Sequence, residues 1–364
     1  MPLEIELEAY TEELTLTASG LSNNQINRAG KVLSAGVPGA ETEQAYTVVN
    51  EWRASHSYPL RAIATVLRRN AVAVNRYALV SSRLKRMESI SAKLQRQNHM
   101  DLINMQDIGG CRAVMWYATE VPAVVDKLKL LFVEDGPFKP KYYDYIEKPK
   151  KDGYRGFHIA VRYQSKSPVH AHWSGRRIEI QIRSTLQHAW STAVETVDLF
   201  ANEKLKVGQG SSKWARFFLL ASAVFARRED SPLVPGVPDS SSDSKEELKI
   251  LARELNVYIR LSAWTTAMTH ISSAIVDGAT YLIMVDTEQK NVTIVPFGPP
   301  YIVEANKQYA IAEMDARTRS DRSVVLVSVD KITDLQKAFP NYYADTADFL
   351  KAIHEELGDW SEYK

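Results

Sequence analysis

The sequence predicts an α+β fold: a mixed β-sheet domain flanked by helices, with a small α+β unit after it. Three observations predict this. Runs such as RIEIQIR (177–183) alternate apolar and polar residues with a period of two, as strands do. Runs such as LRAIATVLRRNAVAV (60–74) carry apolar residues at helical spacing. Between the main domain and the unit after it, DSPLVPGVPDSSSDS (230–244) sets three prolines before a Ser/Asp run, which makes a poor core and a good linker.

In chain order, residues 41–56 place Tyr46, Val49 and Trp52 on one helical face, and a second amphipathic helix follows Pro59. YALVSSRLK (77–85) reads as a strand and ESISAKLQRQ (88–97) as a helix with Ser89 in its first turn. RAVMWYA (112–118) reads as a strand and 121–132 as a helix. FHIAVRYQ and RRIEIQIRS are strands, and 185–200 and 211–229 helices, the latter rich in core-type residues. Beyond the linker come a helix (245–260), TYLIMVD and NVTIVPF as a hairpin, a helix around 301–317, the strand SVVLVSV and a last helix, TADFLKAIHEEL. The expected divisions are a helical region at 1–75, the main domain at 76–230, a linker at 231–244 and a C-terminal domain at 245–364.

Composition narrows the class. The 364 residues are 45% hydrophobic, enough for two globular domains. The acidic start, MPLEIELEAYTEEL, lacks the basic and apolar blocks of a signal peptide. No apolar run is long enough to span a bilayer. The expectation is a cytoplasmic protein with no membrane partner. Cys111 is the only cysteine, which excludes an intrachain disulfide framework and a multi-cysteine zinc site. His270 and His354 have no second ligand nearby and read as structural. The net charge of +1 hides segregation: Arg61–Arg96 holds nine basic residues and one acid, Glu88, whereas Asp330–Lys364 holds eight acids and four bases. A basic face suits phosphates or nucleic acid, and an acidic C-terminal region could lie over it.

Three stretches carry chemistry. In RIEIQIR the isoleucines share one strand face and Glu179, Gln181 and Arg183 the other, a line of carboxylate, amide and guanidinium that suits phosphate and metal. In RLKRMESISAK (83–93), Arg83 and Lys85 share a strand face, and Ser89 and Lys93 are i, i+4 neighbours at a helix start, where the dipole favours an anion. In DIGGCRAV (107–114), Asp107 precedes a Gly-Gly pair and Arg112 begins a strand. With Glu179, Asp107 supplies two hard oxygen ligands of the kind a Mg²⁺–nucleotide site uses. Between them, KKDGYRGFH (150–158) holds Tyr154 at a glycine-flanked tip beside Lys150 and Lys151.

These blocks resemble the RelA/SpoT-type pyrophosphokinases, the alarmone synthetases. R-x-K-(x₃)-S-(x₃)-K is met by Arg83, Lys85, Ser89 and Lys93; D-I-x-G-x-R by Asp107 through Arg112. D-Y-I-x-x-P-K is met by Asp144 through Lys150, G-Y-R-x-x-H by Gly153 through His158, and E-x-Q-I-R by Glu179 through Arg183. The resemblance implies a nucleotidyltransferase-like synthetase domain using ATP as substrate with Mg²⁺. It implies that Arg83 and Arg112 sandwich the adenine, that Lys85, Ser89 and Lys93 hold its phosphates, and that Asp107 and Glu179 bind the metal. Glu179 would also be the base toward the attacking hydroxyl. Tyr154 would stack the acceptor base, and His158, Lys150, Lys151, Gln181 and Arg183 would lie in the acceptor region. The reaction implied is attack of a ribose 3′-hydroxyl on the β-phosphorus of ATP, with AMP leaving.

Two departures concern the acceptor. Tyr143 stands where these synthetases usually have a lysine, and Glu195-Thr196 where they have a Glu-His pair. The layout resembles the fused toxin–antitoxin branch, CapRel-type. That implies a toxin acting on the tRNA 3′-CCA end, restrained by its own C-terminal antitoxin domain, a metal-free pseudo-zinc-finger here. It also implies release by a phage structural protein such as a major capsid protein, in antiphage defence. Tyr342 and Tyr343 are assigned to that regulatory interface, with packing under the last helix as the alternative. The competing expectation is a (p)ppGpp or (p)ppApp alarmone synthetase whose C-terminal domain serves oligomerisation.

Overall fold

The computed structural model describes residues 20–36, 39–97, 99–132, 139–165, 167–200, 212–255, 257–258, 261, 280–286, 291–316, 322–328 and 346–358. Tyr342, Tyr343 and His270 lie outside these residues.

Three helices lead the described chain: α1 (Asn23–Ala35), α2 (Ala40–Ala54) and α3 (Ser57–Val74). Sequence reasoning missed α1, although its start carries a capping box. Ser22 Oγ accepts from the Gln25 N–H at 3.3 Å, and Gln25 Oε1 accepts from the Ser22 N–H at 2.8 Å. In α2, Tyr46, Val49 and Trp52 are buried, as their spacing predicts. They pack with α1 and with α4 (Met87–Arg96). α3 buries Leu60, Ile63, Leu67 and Ala71 on the sheet.

The sheet begins with β1 (Leu79–Leu84) and β2 (Gly109–Met115), followed by α5 (Glu120–Leu131). β2 stops three residues short of the expected strand, and Trp116 and Tyr117 lie exposed beyond its end. Then come β3 (Lys141–Asp144), β4 (Phe157–Arg162), β5 (Arg177–Ser184), α6 (Thr185–Phe200), α7 (Ser212–Arg228) and α8 (Ser241–Glu254). Ile178, Ile180 and Ile182 are fully buried against Cys111, Ala113, Ile159 and α3, so the opposite face of β5 is free for polar groups. The linker is tied down along α7. Arg216 Nη1 donates to the Gly236 carbonyl at 2.6 Å, and Arg227 Nη2 to the Pro238 carbonyl at 2.5 Å.

The C-terminal part adds β6 (Thr280–Asp286), β7 (Asn291–Phe297), α9 (Ile302–Ala316), β8 (Arg322–Ser328) and α10 (Ala347–Leu357). β6 and β7 pair antiparallel, the expected hairpin. These strands join the first sheet: β8 pairs with β1 through Ser82↔Ser328 and Arg83↔Val327. The sheet has eight strands in the order β3-β4-β5-β2-β1-β8-β6-β7, with only the β2–β5 pair parallel among those registered. α9 covers β6 and β8 through Ala305, Tyr309, Leu282, Val324 and Leu326. α10 inserts Phe349 and Ile353 among Trp214, Phe217 and Phe225 of α7. Its Glu355 and Glu356 pair with Arg228 and Lys245, not with the basic Arg61–Arg96 face as the charge pattern suggested.

Candidate active site

Strand register assembles the site. Because β3, β4, β5, β2 and β1 are adjacent, directly paired residues make rows across the sheet. One row runs Tyr143↔His158↔Gln181↔Arg112↔Ser81, and the next Lys141↔Ala160↔Glu179↔Gly110↔Arg83. Motifs far apart in sequence thus meet on one face. Gly109 is required by packing, since a Cβ there would meet Ile178 Cδ1 at 2.7 Å. Gly110 has room, and it opens the floor beside Glu179.

Above the rows lies a cleft of about 940 Å³. Arg83, Lys93, Asp107, Arg112, Lys150, Lys151, Tyr154, His158, Glu179, Gln181 and Arg183 all line it. Lys85 lines a small adjoining cavity of about 60 Å³, together with Arg83, Asp107, Arg112 and Glu179. Ser89 sits half-buried in the first turn of α4, as expected, but lines neither cavity.

Asp107 is held by both lysines of the neighbouring motif. Lys85 Nζ lies 2.8 Å from Oδ2 and Lys93 Nζ 2.9 Å from Oδ1. Burial opposes its charge, but the two ammoniums hold its carboxyl well below the usual carboxylate range. Burial likewise opposes the charge of Glu179, and hydrogen bonds from His158 and Gln181 more than offset it. Burial, with the like charges of Arg183 and Arg83, pushes Arg112 down to about 9, which leaves it a cation at neutral pH.

A chain of hydrogen bonds runs into Glu179. Arg183 Nη2 donates to the Tyr154 hydroxyl at 2.7 Å. That hydroxyl is 2.5 Å from His158 Nε2, and His158 Nδ1 is 3.2 Å from Glu179 Oε1. Burial lowers the His158 pKa, so its ring is neutral at pH 7. One assignment then fits the inner links: Tyr154 O–H donates to Nε2, and Nδ1–H donates to the carboxylate. Gln181 Nε2 donates to Glu179 Oε2 at 2.7 Å, completing the carboxylate's support. This linkage was not visible in the sequence, which pointed only to the ring of Tyr154.

The Tyr154 loop is anchored from behind. Gly153 has φ +94, and a Cβ there would meet Ser222 Cβ at 2.9 Å; Ser222 Oγ donates to the Gly153 carbonyl at 2.6 Å. The Tyr154 ring has Lys150 Nζ at 4.7 Å and the Arg183 guanidinium at 4.9 Å from its centroid. Other lining residues were missed by sequence reasoning: Gln106, Tyr145, Trp190, Arg216 and Phe218. Tyr145 had a usable signal, lying two positions from Tyr143 in KYYDY.

The donors fit magnesium. Asp107 and Glu179 offer hard carboxylate oxygens to the same two cavities, and Asp107 opposes the ionisation of Glu179, a repulsion that a dication relieves. Among the described residues no group of three or more His, Cys, Asp or Glu is placed to hold a metal. A two-carboxylate site completed by substrate phosphates and water needs none. No helix among the described residues is long and apolar enough to cross a membrane.

The family model described as "Region found in RelA / SpoT proteins" matches residues 82–199. A GTP pyrophosphokinase of Bacillus subtilis, YjbM, is 30% identical over 119 residues, 31% of this chain and 52% of that protein. An uncharacterized protein of Mycobacterium tuberculosis is 28% identical over 175 residues, 48% of this chain and 58% of that protein. The chain thus spans about half the length of the curated relatives it matches. Among solved structures, a GTP pyrophosphokinase family protein from Streptococcus pneumoniae is 21% identical with a TM-score of 0.41, over 50% of this chain and 88% of that one. The matched segment, 82–199, runs from β1 into α6 and carries both rows apart from Ser81, together with both carboxylates and the tyrosine loop. Across that segment the chain thus matches the region found in RelA/SpoT proteins.

Proposed function

We propose that this protein is an ATP-dependent pyrophosphokinase toxin that transfers the β,γ-pyrophosphate of ATP to the 3′-hydroxyl of a tRNA CCA end and so blocks translation. The observation that carries the reading is the meeting of Asp107 and Glu179 at one cleft that Arg83, Arg112 and Tyr154 also line. Phosphoryl transfers of this kind require alignment and charge neutralisation more than covalent participation by the protein. The 3′-oxygen forms a bond to the β-phosphorus, the bond to the bridging oxygen of the α-phosphate breaks, and AMP departs. Glu179 takes the hydroxyl proton, and the neutral His158 steadies the carboxylate from its far side. Arg83 and Arg112 grip the adenine, while Lys85 and Lys93 turn from Asp107 toward the phosphates. Mg²⁺ held by Asp107 and Glu179 would supply electrophilic charge at the transferred group.

C-terminal restraint belongs to the same proposal. It is supported by the pairing of β8 with β1, the strand that carries Arg83, and by the engagement of Asp107 with both lysines. A phage structural protein such as a major capsid protein is the proposed releasing partner. The test supplies ATP labelled at its terminal phosphates together with tRNA, GDP and GTP. Label on tRNA is the expected result, and label confined to guanine nucleotides would overturn the acceptor assignment. A (p)ppGpp or (p)ppApp synthetase is the second reading, favoured by the curated GTP pyrophosphokinase relative.

A further inference from the structure

The cleft holds more aromatic surface than one acceptor base can use. Tyr143 and Tyr145 line it beside Tyr154. Their rings are nearly parallel, 10° apart with centroids at 6.1 Å, and Tyr145 meets Tyr154 edge-on at 6.0 Å. The three rings form a series leading from beside Glu179 to β3, the edge strand of the sheet. The series is built rather than loose. Tyr143 is fixed by its pairing with His158 and by the Gln106 side chain, whose Nε2 donates to the phenol oxygen at 3.2 Å. Lys150 Nζ lies over both neighbouring rings, 4.4 Å from the Tyr145 centroid and 4.7 Å from that of Tyr154. Its backbone is held by the Tyr154 carbonyl, which accepts from the Lys150 N–H at 3.1 Å.

A free mononucleotide presents one base, and Tyr154 suffices for it. Two consecutive nucleotides present two bases with a phosphodiester between them. A cation between successive ring platforms matches that chemistry. We propose that Tyr143 and Tyr145, with Lys150 lying over the Tyr145 and Tyr154 rings, hold the nucleotide that precedes the acceptor, so that the site selects the 3′ end of a strand over a free nucleotide. This rests on the strand-end reading above and names the residues that enforce it.

The experiment measures label transfer from terminally labelled ATP to adenosine monophosphate, to the dinucleotide CpA and to CpCpA. It uses the full chain and the variants Tyr143→Ala, Tyr143→Phe and Tyr145→Ala. Wild type is expected to prefer CpA over adenosine monophosphate, and each alanine variant to lower that ratio about ten- to a hundredfold, the scale of one lost base stack. Tyr143→Phe keeps the ring and is expected to keep the ratio. A preserved wild-type preference that the alanine variants leave unmoved overturns this inference alone. Absence of any wild-type preference for the strand end overturns the strand-end reading with it.

Discussion

Arg53 and Glu313, 260 positions apart, form a buried ion pair. Nη1 of Arg53 lies 2.8 Å from Oε2 of Glu313, with the two side chains 3% and 0% exposed. The other carboxylate oxygen accepts from the Met87 N–H at 2.5 Å, at the first residue of α4. The Tyr309 ring lies under the guanidinium at 4.1 Å. One acidic side chain from the C-terminal part thus ties down α2 and the start of the helix that carries Ser89 and Lys93.

Removing one partner of such a pair strands the other charge in the interior. Glu313→Ala is expected to destabilise the protein by about 3–5 kcal/mol. Glu313→Gln, which can still accept from Met87, should cost less. Urea unfolding followed by tryptophan fluorescence measures both; a loss below about 1 kcal/mol for the alanine variant would mean that the pair contributes nothing of note.

The same residue gives stability a pH dependence. Burial pushes the Glu313 carboxyl up from 4.5 to about 7, with Arg53 opposing. A carboxyl that binds its proton more tightly when folded contributes fully below its unfolded pKa and loses that contribution as pH rises through the folded value. Melting temperature should therefore decline between about pH 5 and 7.5, by the equivalent of at most roughly 3 kcal/mol from this group. Glu313→Gln should flatten the curve, and an unaltered slope in that variant would assign the pH dependence to another group.

Glu179→Gln should abolish transfer while leaving ATP binding measurable, because the amide cannot take the hydroxyl proton. Loss of a positioned general base typically costs 10²–10⁴-fold in rate. His158→Gln should lower kcat more than it changes KM and shift the pH–rate profile, since Glu179 then loses the imidazole N–H. Identical profiles for wild type and the His158 variant would reduce His158 to a packing role.

Gly153→Ala combines a left-handed backbone with a collision against Ser222, so it should displace the Tyr154 loop. The expected outcome is impaired acceptor use at near-normal ATP affinity, read from KM values for the two substrates. Equal damage to both would show that the loop also supports the ATP side.

Much of the site was legible because its motifs are local. RIEIQIR alternates cleanly, and the isoleucine face is buried as the period requires. α1 was missed because its buried stripe includes Ala29 and Gly30 among polar residues, and only the Ser22–Gln25 capping box marked its start. Gly30 is there for close packing, since a Cβ would meet Leu102 Cβ at 2.9 Å. β3 is four residues long, at the sheet edge, with exposed Lys141 and Asp144 at its ends, so it shows no strand-like period. The embrace of Asp107 by Lys85 and Lys93 and the pairing of β8 with β1 join distant positions. No local pattern encodes such partners.

Joining β8 to β1 changes what deletion of the C-terminal third would produce. Cutting the chain after α7 strips a neighbour from the strand bearing Arg83, and bared backbone N–H and C=O groups along a sheet margin recruit other chains. Such a fragment would tend to self-associate at the very border of the nucleotide pocket. A mild loss of grip, for instance weakening the Arg53 anchor, is therefore a cleaner imitation of the proposed release than amputation.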